Sequence, residues 1–239
     1  MMNKNVKIAK ELVKLAKSLV ALDEEGDRSG FQLLHDYDNL IADRKYILYR
    51  KERGLWRIRA CRDFGLVKKG DLGGFVESED NLSHKENCWI FNNAKVYGNA
   101  KVCENAKVWD NAEVYGNAEV WDRAQVFGNA KVCGNALVCG RTAQVRSNAK
   151  VYGNAKVFDN AEVYGNAEVW GDAEVCSHAQ VFDNAKVFDN AKVFDNAEVW
   201  GDAQVYGDAE VCGNAMVYGA EVCGNAKVDY NVSEGKVTE

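Results

Sequence analysis

From Ala94 to Val228 a six-residue unit, Ala-x-Val-aromatic-Gly/Asp-Asn, repeats with almost no interruption. Alanine returns every sixth residue from Ala94 to Ala136, from Ala143 to Ala215, and from Ala220 to Ala226. That makes 23 units with two slips of phase, one residue gained before Ala143 and one lost before Ala220. A short, strict period sustained over this length restricts the chain to a solenoid, because one unit cannot bury its apolar face alone.

Parity within the unit assigns the faces. Along an extended segment alternate side chains point to opposite sides, so Ala and Val share the inward side. The variable residue before Val and the aromatic after it point outward. Gly-Asn or Asp-Asn then supplies a corner, where Gly and Asn tolerate left-handed backbone angles. Three such sides close a triangular coil of 18 residues, and stacked coils pair as parallel strands about 4.8 Å apart.

The spacing of Val96 and Ala100, an aliphatic residue followed four positions later by a small one, resembles the hexapeptide-repeat superfamily. So does the Asn-Ala-Lys-Val-Tyr-Gly wording of the unit, found in bacterial and phage proteins often described as transferases. The resemblance covers about residue 70 to the C-terminus. It implies an all-β solenoid, a left-handed parallel β-helix of about nine triangular 18-residue coils. The left hand comes from the resemblance, since crossover connections are ordinarily right-handed. About nine coils make a rod roughly 40–45 Å long.

Composition narrows the function. The chain has 239 residues, a net charge of −6, no proline, eight cysteines and three histidines. Absence of proline suits an unbroken ladder of backbone hydrogen bonds. The acidic balance gives no basic patch for nucleic acid. No run of about 18 apolar residues suggests a membrane span, and no secretory leader is evident, so a soluble, cytoplasmic protein is expected. Six cysteines (Cys103, Cys133, Cys139, Cys176, Cys212, Cys223) occupy outward slots. Those on one face recur every second coil, too far apart for disulfides or a converging zinc site. No metal and no cofactor is expected.

Ahead of the repeat, residues 1–30 read as an amphipathic helix (4–22) and a linker. Val6, Leu12, Val13, Leu19 and Val20 fall on one side of that helix and lysines mostly on the other. Residues 31–69 read as a short helix (31–43) followed by a hairpin across Lys51-Glu52-Arg53-Gly54, a small helical and hairpin cap for the first coil. The repeat domain spans 70–239. Its degenerate start keeps a six-residue beat at Gly70, Val76, Leu82 and Cys88, and after Val228 the motif decays into a frayed tail.

Sorting units by threes gives three outward columns. Face one carries Tyr97, Tyr115, Tyr152, Trp170, Phe188 and Tyr206, with Cys133 and Cys223 interposed. Face three carries Trp109, Phe127, Arg146, Tyr164, Phe182, Trp200 and Tyr218. On face two Trp121, Phe158 and Phe194 alternate with cysteine. The rings of faces one and three either stack along the rod and shield it, or form contact surfaces.

These columns are the candidate binding residues. They point to a non-catalytic binding or scaffolding module that forms a homo-oligomer, a trimer or dimer, or holds a host protein if phage-encoded. The alternative implied by the resemblance is an acyltransferase with its site between subunits. Its only candidate bases are His84, read as an inward structural imidazole, and His178, read as a substitution at a corner Asn slot. Neither has a loop or a partner that marks a reaction centre. Ice binding needs threonine ladders, and only Thr142 and Thr238 are present.

Overall fold

Valine and alanine build the core because three walls so close together leave room for only small inward side chains, with Leu82 and Ile90 in Val slots only at the opening coil. In the computed structural model, which describes residues 44–239, the inward Ala and Val side chains from Ala94 to Val228 are 0–1 % exposed. Each side of a coil contributes a minimal strand, such as Lys95–Val96 or Lys101–Val102. These stack into three parallel sheets of 12, 8 and 8 strands, the first including an N-terminal hairpin. About nine coils of 18 residues result. The helices expected over 4–22 and 31–43 lie outside the described residues.

Main-chain pairing holds the register. Val96 lies over Val114, Val102 over Val120 and Val108 over Val126, each 18 residues on. Both slips are absorbed at corners, as the column sorting requires. Val126 still faces Val145 and Val205 still faces Val222. Arg141 is the looped-out residue, and Thr142 takes the Asn slot, donating from Oγ1 to Asn160 Oδ1 at 2.9 Å.

The corners work differently from expectation. Positive φ, between 57° and 74° from Gly98 to Gly224 apart from Gly140, falls on the first corner residue, occupied by Gly, Asp, Ser or Glu, and at Asn92 in the opening coil it is 54°. Asn holds the second corner slot and has another task. Its side-chain amide donates to the Asn or Asp one coil on, as in Asn99–Asn117–Asn135–Asn154–Asp172 at 2.8–3.0 Å. Glycine at the first corner suits close stacking as well as φ. A Cβ on Gly165 would meet the Asp183 amide nitrogen at 2.8 Å. Asp at this slot tolerates the left-handed angle better than most residues. Its carboxylate accepts from the next coil's corner N–H, as Asp195 Oδ2 does from Gly213 at 3.0 Å.

The N-terminal cap forms as its turn residues dictate. β1 (Tyr46–Glu52) and β2 (Leu55–Ala60) pair antiparallel. Between them Arg53 and Gly54 take φ of 48° and 91°, the left-handed pair typical of a two-residue hairpin loop. β2 then pairs antiparallel with β3 (Leu72–Val76), which pairs parallel with Lys95–Val96. The hairpin thus closes the open edge of face one.

The opening coil departs from the even beat. Val76 and Leu82 occupy Val slots, over Val96 and Val102, whereas Cys88 occupies an Ala slot, its neighbour Trp89 pairing with Lys107. Between Leu82 and Cys88 there are two extra residues, His84 and Lys85. Gly74 fills an Ala slot because a Cβ there would lie 2.4 Å from Ile90 Cγ2. Buried Asn81 ties this coil to the next. Its Oδ1 accepts from Glu77 and Ser78, and its Nδ2 donates to the Gly98 and Ala100 carbonyls at 2.9 Å.

The chain end also differs from expectation. Val232 bridges to Val217, and Lys236–Val237 pairs parallel with Glu221–Val222. The tail therefore completes a shortened coil, since apolar Val232 and Val237 still have an inward place to go.

The corner chemistry makes a prediction. Asp195→Gly loses the carboxylate acceptor but gains freedom at positive φ, whereas Asp195→Ala loses the acceptor and keeps the strain. Alanine should be the more destabilising by about 1 kcal/mol, read as a lower thermal midpoint.

Candidate functional site

Outward aromatics stand at one slot of the unit, so where successive coils of a face carry them they recur at the coil spacing and lie nearly flat on each other. On face one Tyr97 and Tyr115 stack at 5.0 Å with planes 1° apart. After the Cys133 interruption Tyr152, Trp170, Phe188 and Tyr206 form a continuous stack at 5.6, 4.4 and 4.9 Å. On face three Phe91 stacks on Trp109 at 3.8 Å, and Tyr164, Phe182 and Trp200 follow at 4.9 and 5.7 Å. Tyr218 leans on Trp200 at 4.2 Å, tilted by 37°. Phe127 and Arg146 hold the two intervening rungs, half-buried like their neighbours.

Two members of the face-three column escaped the sequence reading as ring partners. Phe91 begins the stack, although its unit lacks the Ala-x-Val that marks the others. Arg146 takes an aromatic slot and lays its guanidinium 3.9 Å from the Tyr164 ring centre, a cation–π contact that continues the column. On face two Trp121, Phe158 and Phe194 sit between cysteines and gain no ring neighbour.

Phenol groups couple each ring to the polar column of the following coil. Tyr152 donates to Glu168 Oε2 at 3.2 Å, Tyr164 to Gln180 Oε1 at 3.0 Å and Tyr206 to Glu221 Oε2 at 3.2 Å. Burial, then the Glu168 charge, pushes the Tyr152 phenol up to about 12, so it remains a donor at neutral pH.

The polar columns distinguish the faces. Face one pairs Lys95 with Glu113 at 2.9 Å and Lys150 with Glu168 at 2.8 Å, and face two pairs Lys156 with Glu174 at 2.8 Å. Face three reads Lys107, Gln125, Gln144, Glu162, Gln180, Glu198 and Met216. Its one ion pair is Arg146–Glu162 at 3.0 Å among the described residues. Met216 and Tyr218, 45 % and 47 % exposed, end this face. Face three is thus the least charged of three otherwise equivalent walls.

Histidines and cysteines do not converge. His84 is not inward but half-buried in the two-residue insertion, stacked on Tyr46 at 4.2 Å, and burial lowers its pKa so that the ring is neutral. Its Nδ1 has no partner. His178 is exposed in another coil, with Nε2 3.3 Å from Asn160 Nδ2 in the corner ladder. The corners of Asn105, Arg123, Thr142 and Asn160 separate the two rings. An open trough of about 680 Å³ follows the His178 corner past Asp159 and Asp195, but Asp195 is already engaged with a backbone N–H. All eight cysteines are free. Burial pushes the Cys103 and Cys139 thiols up to about 11, which makes them poor nucleophiles. No cluster of three or more potential metal ligands occurs among the described residues.

No protein-family model matches the chain, and no curated protein matches it.

Two predictions follow from the columns. Trp170 has rings above and below it and Trp121 has none, so Trp170→Ala should cost about 1–2 kcal/mol more than Trp121→Ala. Thermal midpoints of the two variants give the comparison. Glu168 is held below the usual carboxylate range, first by its hydrogen bond from Lys150. Its stabilisation is present above about pH 4.3, where the unfolded carboxyl titrates, and is lost as pH falls through the lower folded value. Lys150→Met should flatten that part of the stability–pH curve in acid titration.

Proposed function

We propose that the chain is a non-catalytic binding or scaffolding module of the hexapeptide-repeat, left-handed β-helix kind, acting through aromatic faces one and three. It would work in a bacterial cytoplasm, phage- or prophage-encoded, by forming a homo-oligomer or by holding a host protein. The observation that carries this reading is the ring column of face three on the least charged of the three walls. Charge depletion with aromatic enrichment is what distinguishes the centre of an interface from ordinary surface. The separated histidines, high-pKa thiols and engaged corner carboxylates add nothing resembling a nucleophile and base in reach of each other. No helix among the described residues is long and apolar enough to cross a membrane, in keeping with the proposed location.

Light scattering on the full chain and on a Trp109→Ser, Trp170→Ser, Trp200→Ser variant tests the reading. The parent should be an oligomer and the variant a monomer of unchanged circular dichroism, while Phe158→Ser on face two keeps the parent mass. A variant that retains the parent oligomer removes the aromatic faces from the account.

A further inference from the structure

Face three can be compared with itself turned end for end. Its eight strands run from Trp89–Ile90 at one end to Met216–Tyr218 at the other, and the midpoint lies between Gln144–Val145 and Glu162–Val163. A two-fold axis along the strand direction at that midpoint reverses the order of rungs but keeps position along each strand. Polar slots then meet polar slots, and rings meet rings.

Under this operation the face is self-complementary. Lys107 meets Glu198 of the second copy, Gln125 meets Gln180 and Gln144 meets Glu162. In the ring column Trp109 meets Trp200, Phe127 meets Phe182 and Arg146 meets Tyr164. Within these two columns like charges are never opposed. At the ends, exposed Met216 and Tyr218 come to the loop that buries Trp89, where Phe64 packs edge-on at 5.3 Å and Leu66 is 70 % exposed.

The other walls fail the same comparison. On face one Lys95 would meet Glu221 and Lys150 would meet Glu168, but Lys131 would oppose Lys186. On face two Glu119 would oppose Glu210 and Lys101 would oppose Lys227. Like charges brought together in this way disfavour association.

Building on the reading of the ring faces as contact surfaces, we infer that face three pairs with face three of a second copy, the two rods antiparallel in full register. Such a pairing is isologous, so each contact occurs twice and the assembly closes as a dimer. Eight rungs at about 4.8 Å by four residues of width cover roughly 500 Å² per copy. About 1,000 Å² in total is at the threshold for a specific interface, which makes the dimer weak and dependent on its charge register.

Sedimentation equilibrium of the full chain, at concentrations up to about 100 μM and low salt, tests the register. The parent should dimerise. Lys107→Glu turns two attractions into two repulsions and should weaken dimerisation about tenfold or more. Adding Glu198→Lys should restore it, because the pair is then reversed but complementary. Lys186→Glu on face one, the matched control, should change nothing, and circular dichroism verifies that each variant is folded. A monomeric parent, an unaffected Lys107→Glu variant, or a double variant that does not recover overturns the antiparallel dimer. If the tryptophan variant loses the parent assembly while Lys107→Glu does not, the ring faces stand as contact surfaces and only this register falls.

Discussion

Every coil is tied to the next by the main-chain hydrogen bonds of parallel strands. The Lys95 N–H donates to the Ala112 carbonyl, Tyr97 to Val114, and Lys101 to Ala118, at 2.9–3.1 Å. The Val114 N–H donates the other way, back to the Lys95 carbonyl, as the parallel pairing of these strands requires. A parallel ladder leaves N–H and C=O groups unpaired at its first and last rungs, and unpaired backbone groups are costly when buried and sticky when exposed. The N-terminal hairpin answers the first problem. β2 turns antiparallel onto β3 and the Ala60 N–H donates to the Asp71 carbonyl at 2.9 Å. At the other end the shortened coil through Val232 and Val237 supplies acceptors to Tyr218 and Cys223. Both ends depart from the six-residue unit because an end has to do what the interior never does.

With the ladder set, the corner becomes the tightest point. Positive φ and backbone contact with the coil above leave room for little besides glycine. Aspartate persists there because its carboxylate returns a hydrogen bond to the next corner amide, as at Asp110–Gly128 and Asp189–Gly207 as well as Asp195–Gly213. The side chain that costs conformational energy in its own coil stabilises the following one. Asparagine follows at the second corner slot for a related reason, since its amide is donor and acceptor at once and can pass a ladder upward indefinitely.

Inward and outward slots, three faces, the hairpin turn at Arg53-Gly54 and the harmless slips were all legible, since period and parity together decide them. The opening coil was not. Val76, Leu82 and Cys88 keep a spacing of six, yet Leu82 is in a Val slot and Cys88 in an Ala slot. Two extra residues exactly compensate for that change of slot, so counting cannot reveal it. His84 belongs to that insertion, which is why it was misread as inward. The corner roles were illegible for another reason: both residues tolerate left-handed angles, and only the stacked geometry shows which one needs to. The tail broke the period, so its apolar residues gave no count to follow. Of the candidate site, the ring columns were readable from the unit, but the cation at Arg146 and the lead ring at Phe91 depended on which slots those residues occupy.

A core of Ala and Val at every level is interchangeable, and this shifts specificity outward. Sliding one coil past another would leave the interior nearly unchanged, so only side chains on the surface can oppose a slip. Faces one and two do so with Lys and Glu that alternate over most rungs, broken at Lys131–Lys150 and Gln204 on face one and at Leu137 on face two, in ion pairs that are individually weak. Face three does not use this device. Gln125, Gln144 and Gln180 carry no charge to alternate, and the rings beside them stack about equally well in any register. A wall that contributes least to the register of its own rod has been freed of the charges that would hinder burial against another. Its few remaining charges, Lys107 toward one end and Glu198 toward the other, are placed where a reversed copy can use them.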